Sequence, residues 1–136
     1  MRTALALCVC ALTLAACGST TPRDSAEEFD GAERAVATAV EDMEEAARED
    51  DPERLCTKLL SERLLASLKE QGTNCTTAAR DAFKDASSKD LTVDDVTISG
   101  ETATAKVTSG SGSNEKTDTL ELEKAGAGWR ISSLRS

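Results

Sequence analysis

The sequence predicts an α+β domain: about three N-terminal helices packed on a four-stranded antiparallel meander. Three observations predict it. Apolar residues recur at helical spacing as far as about residue 86. From Leu91 the period changes to strand-like alternation, and the turn signals Gly100-Glu101, Gly110 to Asn114 and Ala125 to Gly128 cut that alternation into short runs.

The helices come first. Ser25 followed by Glu28 has the form of a capping box ahead of a long helix, whose apolar stripe is Phe29, Ala32, Val36, Val40, Met43 and Ala47. Glu27, Arg34, Glu41, Glu45 and Arg48 fall on the opposite face. Asp50-Asp51-Pro52 ends this helix and begins another, because proline suits a first helical turn and drives the preceding residue out of helical geometry. Leu55, Cys56, Leu59, Leu60, Leu64, Leu65 and Leu68 then form an apolar row, with a break at Ser61, whose hydroxyl is able to cap a second segment. Gly72 closes the unit, and a shorter helix from Thr77 to about Ala86 has the inner row Ala79, Ala82, Phe83 and Ala86.

The strands follow. Leu91 and Val93, then Val96 and Ile98, alternate with polar residues, and Asp94-Asp95 breaks the phase, which predicts a bulge or bend. Ala103, Ala105 and Val107 share the inner face of the second strand, Leu120 and Leu122 that of the third, and Trp129, Ile131 and Ser133 that of the last.

Ahead of the domain lies a leader. Thr3 to Ala16 carries no charge, yet at about 1.5 Å per residue it covers roughly 21 Å, less than the ~30 Å hydrocarbon core of a bilayer. Arg2, this apolar run and the small residues at its end make a secretory signal peptide. Leu14-Ala15-Ala16-Cys17 resembles the lipobox of bacterial lipoproteins, in which a diacylglycerol is attached to the cysteine thiol, the chain is cut before it and the new amine is usually acylated. The resemblance implies residues 1–16 as a lipoprotein signal peptide, Cys17 as the lipidated residue, 17–24 as a flexible tether and 25–136 as a single domain. Two acyl chains suffice for stable anchoring, whereas one binds only marginally. The alternative is an ordinary signal peptide with a cysteine nearby.

The leader takes Cys8 and Cys10 with it, and Cys17 carries lipid, which leaves Cys56 and Cys75. Outside the cytoplasm such a pair is expected to be oxidised. Two buried free thiols or a redox pair are the alternatives, the latter without a Cys-x-x-Cys to support it.

The net charge is −9 at pH 7, and becomes more negative when Arg2 leaves. Such a domain is repelled by nucleic-acid phosphates and anionic headgroups, so the expected membrane attachment is the lipid, and nucleic acid is not an expected partner. Histidine and tyrosine are both missing from the sequence, and with them the commonest general base and metal ligand. Asp94 and Asp95 are adjacent on a strand and read as a polar bend, and the acidic run from Glu41 to Glu53 winds around a helix instead of forming a cation loop. No catalytic residue, metal ligand or cofactor is expected.

The whole pattern of helix, acidic step, Leu-Cys-rich helix, second cysteine and strands ending in Gly128-Trp129-Arg130-Ile131 is similar to small secreted or lipidated actinobacterial proteins of the nuclear-transport-factor-2-like superfamily. That resemblance implies that the four-stranded antiparallel meander is curved and cone-like, wrapped around the long first helix, and that the cone encloses an active site, a ligand pocket or only a core.

The expected function is a non-catalytic lipoprotein on the extracytoplasmic face of the cell membrane, binding an envelope protein or an apolar ligand. Val36, Val40, Met43, Ala103, Ala105 and Trp129 are the candidate pocket lining, because a face of alanines opposite the first helix could leave the cone partly unfilled. Alternatives are a carrier of an apolar molecule or lipid in the cone, and an isomerase or dehydratase. The polar outer sheet face, with Thr102, Thr104, Lys106, Glu121 and Glu123, favours a monomer.

Overall fold

The computed structural model describes residues 24–86 and 90–135. The leader, Cys17 and nearly all of the tether lie outside the described residues. Helices α1 (Gly31–Arg48), α2 (Pro52–Arg54), α3 (Glu62–Glu70) and α4 (Cys75–Asp85) precede strands β1 (Leu91–Ser99), β2 (Thr102–Ser109), β3 (Lys116–Ala125) and β4 (Gly128–Arg135). The sheet is an antiparallel meander in the order β1-β2-β3-β4, and the predicted α+β class is what the chain adopts. Among the described residues no helix is long and apolar enough to cross a membrane.

Helix α1 lies across the sheet, against β1, β4 and more lightly β2. Its stripe of Val36, Val40, Met43 and Ala47 faces inward, joined by Ala37, Ala39 and Ala46. The stripe begins later than the spacing predicts, since Ala32 is exposed and Phe29 half-buried. Nor does Ser25 cap this helix. Ser25–Glu28 is a separate 3-10 turn, and Gly31 at φ +55° puts a left-handed step between that turn and the helix.

The proline and serine signals hold. Asp51 caps α2 by accepting the Arg54 N–H at 2.9 Å, with Pro52 in the first turn. Ser61 caps α3 by accepting the Leu64 N–H at 3.2 Å. Asn74 caps α4 in the same way through Thr77. The inner row of α4 is narrower than expected: Ala79 and Phe83 are buried, Ala82 and Ala86 exposed. Cys56 and Cys75 are joined in a disulfide, with Cα atoms 6.1 Å apart, tying the start of α4 to the segment after α2.

Two bulges curve the sheet. The first leaves Asp94 unpaired between Val93 and Asp95, where the broken alternation predicts it. Because the extra residue resets the phase, Asp94 and Asp95 are both exposed instead of pointing to opposite faces. The second sits at Ser132, where Ile131 pairs with Leu122 and Ser133 with Glu121. It turns Ser132 inward and leaves Ser133 half-buried, correcting the predicted inner row of Trp129, Ile131 and Ser133.

Both sheet edges are partly covered. On β1, the Val93 N–H donates to Ser25 Oγ at 3.1 Å. On β4, the Ile131 carbonyl accepts the Ser61 N–H at 2.8 Å, as Leu60 forms a parallel bridge to Ile131. Backbone groups that would otherwise offer a template for another strand are thereby used within the domain.

Candidate functional site

The interior offers little room. Val36, Val40, Ala105 and Ile131 are 0% exposed, and Leu120 and Leu122 1%, so no water-sized space borders the four and hardly any borders the other two. Of the candidate pocket residues, Val36, Val40, Ala103, Ala105 and Trp129 belong to this packed core. Met43 is partly buried against it. The alanine face leaves no gap because α1 also presents alanines, Ala37, Ala39 and Ala46, letting its backbone approach the sheet closely. Leu60 is buried as well, with Leu64 and Leu65 packed partly against the cluster.

Trp129 behaves differently. It is 9% exposed, and that remainder opens onto a trough of about 610 Å³ on the outside of the domain. One wall is a face of α1, Gly31, Ala35, Thr38 and Ala39 with Arg34 and Asp42 at its margins. Opposite stand Lys58 and Leu59, and Gly128 lies beside Trp129 on β4. A Cβ added at Gly31 or Gly128 would meet nothing within 4 Å, so the trough stays open at both glycines.

Its second wall has an unusual backbone. Leu55–Leu59 forms a π turn, closed by the Leu60 N–H donating to the Leu55 carbonyl at 3.1 Å. Such turns are rare and recur at functional sites. Here the wide turn releases the chain into the extended Leu60-Ser61 step that bonds to Ile131, which fixes Lys58 and Leu59 beside Trp129.

The charges around the trough are unevenly used. Arg54 reaches Asp42 at 3.2 Å, Glu45 at 2.7 Å and Glu49 at 3.3 Å. Its pKa is raised, first by the hydrogen bond to Glu45 and then by the three carboxylates. Arg34 Nε donates to the Phe29 carbonyl at 2.7 Å and its guanidinium pairs loosely with Asp30 at 3.5 Å. Lys58 makes no ion pair among the described residues.

A second recess of about 400 Å³ lies between Ser61, Glu62 and the β3-β4 turn. It lacks an aromatic floor, and two of its charges are engaged: Glu123 with Arg63 at 3.1 Å, Arg130 with the Leu60 carbonyl at 3.5 Å.

Two acidic side chains of α1 work inside the fold. Glu44 is 5% exposed, pairs with Arg48 at 3.4 Å and accepts the Leu91 N–H. Burial raises its pKa against the pull of both partners. Glu41 accepts the Ala26 N–H at 2.7 Å and the Ser25 hydroxyl at 3.2 Å, and its pKa too is raised, chiefly by desolvation. Glu41, which the spacing puts on the face opposite the apolar stripe, is half-buried because the 3-10 turn folds back over it. Glu44 was legible in the sequence, since it continues the four-residue spacing of Val36 and Val40. Among the described residues no group of three or more Cys, Asp or Glu side chains is placed to hold a metal ion.

No family model, curated protein or solved structure matches the chain.

Proposed function

We propose that this chain is a non-catalytic cell-envelope lipoprotein, held by acylated Cys17 at the extracytoplasmic face of the membrane, whose domain binds through the trough between α1, the π turn and β4. The observation that carries this reading is the filled interior beside an open exterior. Side chains of α1 and the sheet occupy the space that an internal ligand would need, while Trp129 keeps an edge on the outer trough. Recognition thus falls to the outside, where an apolar floor, small walls and polar margins are the usual make-up of a binding site.

The anchor rests on the lipobox resemblance of Leu14 to Cys17. The domain's first described contacts limit the length of the proposed tether: Ser25 and Ala26 are fastened to Glu41. From Cys17 to Asp24 a fully extended chain reaches about 26 Å. The nuclear-transport-factor-2-like placement remains part of the proposal, supported by the helices-first order and the long first helix laid across a curved sheet.

Site-specific photo-cross-linking in the native host tests the recognition face. A photoreactive residue at Thr38, in the trough, is expected to give a discrete adduct, and one at Thr104, exposed on the sheet's outer face, to give none. Adducts from Thr104 alone would move recognition to the sheet and contradict the reading.

A further inference from the structure

The charge pattern of the trough narrows its occupant. The chain carries −9 overall, yet two of the three charged side chains that line the trough, Arg34 and Lys58, are cations. The third, Asp42, pairs with Arg54 at 3.2 Å, a guanidinium that Glu45 and Glu49 share. Lys58 has no ion pair among the described residues, and Arg34, whose Nε is bonded to the Phe29 carbonyl, pairs only loosely with Asp30, whose side chain is fully exposed. An exposed ion pair of that kind holds its partner weakly. Ala35, Ala39, Leu59 and Trp129 supply the apolar part of the same lining.

We infer that the trough takes a small amphiphilic carboxylate, with its apolar body against Trp129 and Leu59 and its anionic head at Lys58 and Arg34. This rests on the reading that the trough is the recognition face. A volume of about 610 Å³ falls in the range of small-molecule sites, which run from roughly 300 to 1,000 Å³. A cationic ligand would meet Lys58 and Arg34 head-on, and a neutral one would leave the cations without use. The π turn contributes by holding Lys58 at the rim while Leu59, next to it, is buried, so charged head and apolar body are recognised by consecutive residues.

Trp129 is the only tryptophan in the sequence, which gives the test a single reporter. The mature chain from Cys17 to Ser136 is prepared as its C17S variant; residues 24–135 close their own core without the lipid. The Trp129 indole N–H resonance is followed by NMR during titration with 4-phenylbutyrate and with 4-phenylbutanol, which share a body and differ in the anionic head. The carboxylate is expected to bind about fivefold more tightly than the alcohol, the gain from one partly screened charge pair. K58Q is expected to remove that preference, and A35F, on the exposed wall, to block both probes; an unchanged thermal midpoint shows that both variants fold. Equal affinity for the two probes, or a preference that survives both K58Q and R34Q, would overturn the anionic assignment. No saturable shift with either probe, while Thr38 still cross-links to a protein, would overturn the inference in favour of a protein partner and leave the recognition face standing.

Discussion

Ser25 and Glu41 are hydrogen-bonded across a gap of 16 residues: the Ser25 hydroxyl donates to Glu41 Oε1 at 3.2 Å and accepts the Val93 N–H at 3.1 Å. One hydroxyl thus connects the N-terminal turn, α1 and the edge of the sheet. Ser25 is 1% exposed, so Ser25→Ala leaves a buried N–H and part of a carboxylate unpartnered, at a cost of about 1–3 kcal/mol. Chemical denaturation checks this, and an unchanged midpoint would show that water replaces the hydroxyl freely.

Glu41 and Glu44 set a pH dependence whose sign follows from burial. Both carboxyls have raised pKa values in the folded chain, so between the unfolded value and the folded one the native state binds more protons. Their contribution to stability is fully present below the unfolded pKa and is lost as pH rises through the folded pKa. Glu44→Gln keeps an acceptor for the Leu91 N–H and removes the titration. The variant is expected to gain less stability than the parent between pH 7 and pH 5 in urea melts; parallel curves would contradict the assignment.

The Cys56–Cys75 bridge spans 19 positions of sequence. On the chain-entropy model a loop of that size contributes about 3 kcal/mol, by restricting the unfolded chain. Replacing both cysteines by alanine should lower stability by that order, and reductant should lower the thermal midpoint of the parent but not of the variant.

Ala105 tests the filled interior. At 0% exposure it has no room for added methyl groups, so Ala105→Leu is expected to cost about 1–3 kcal/mol through overpacking. A stabilised variant would reveal an internal void and return the cone to consideration as a ligand site.

Much of the fold was legible in the sequence because its signals are local. Pro52, Ser61 and the broken alternation at Asp94-Asp95 each determine backbone geometry within a residue or two. What was not legible depends on distant partners. Ser25 and Glu28 fit a capping box, but Gly31 and the pull of Glu41 and Val93 made a separate turn instead. The bulge at Ser132 has no marker in the residues around it, and arises in register with β3. The trough shows in the sequence only as the small residues Gly31, Ala35 and Ala39 at spacings of four, a row hidden beside the stronger stripe of Val36 and Val40. Its other wall, the π turn, has no signal in the spacing of Leu55, Cys56 and Leu59, which reads as ordinary helix.

The account depends most on the proposed acylation of Cys17, by which the domain and its trough would be held at a membrane surface. Intact-mass measurement of the protein from its native host tests this directly. The account predicts a chain that begins at Cys17, lacks residues 1–16 and carries the added mass of a diacylglyceryl group, with or without a third acyl chain on the amine. A secreted chain with a free or disulfide-bonded Cys17 and no fatty acid would contradict it.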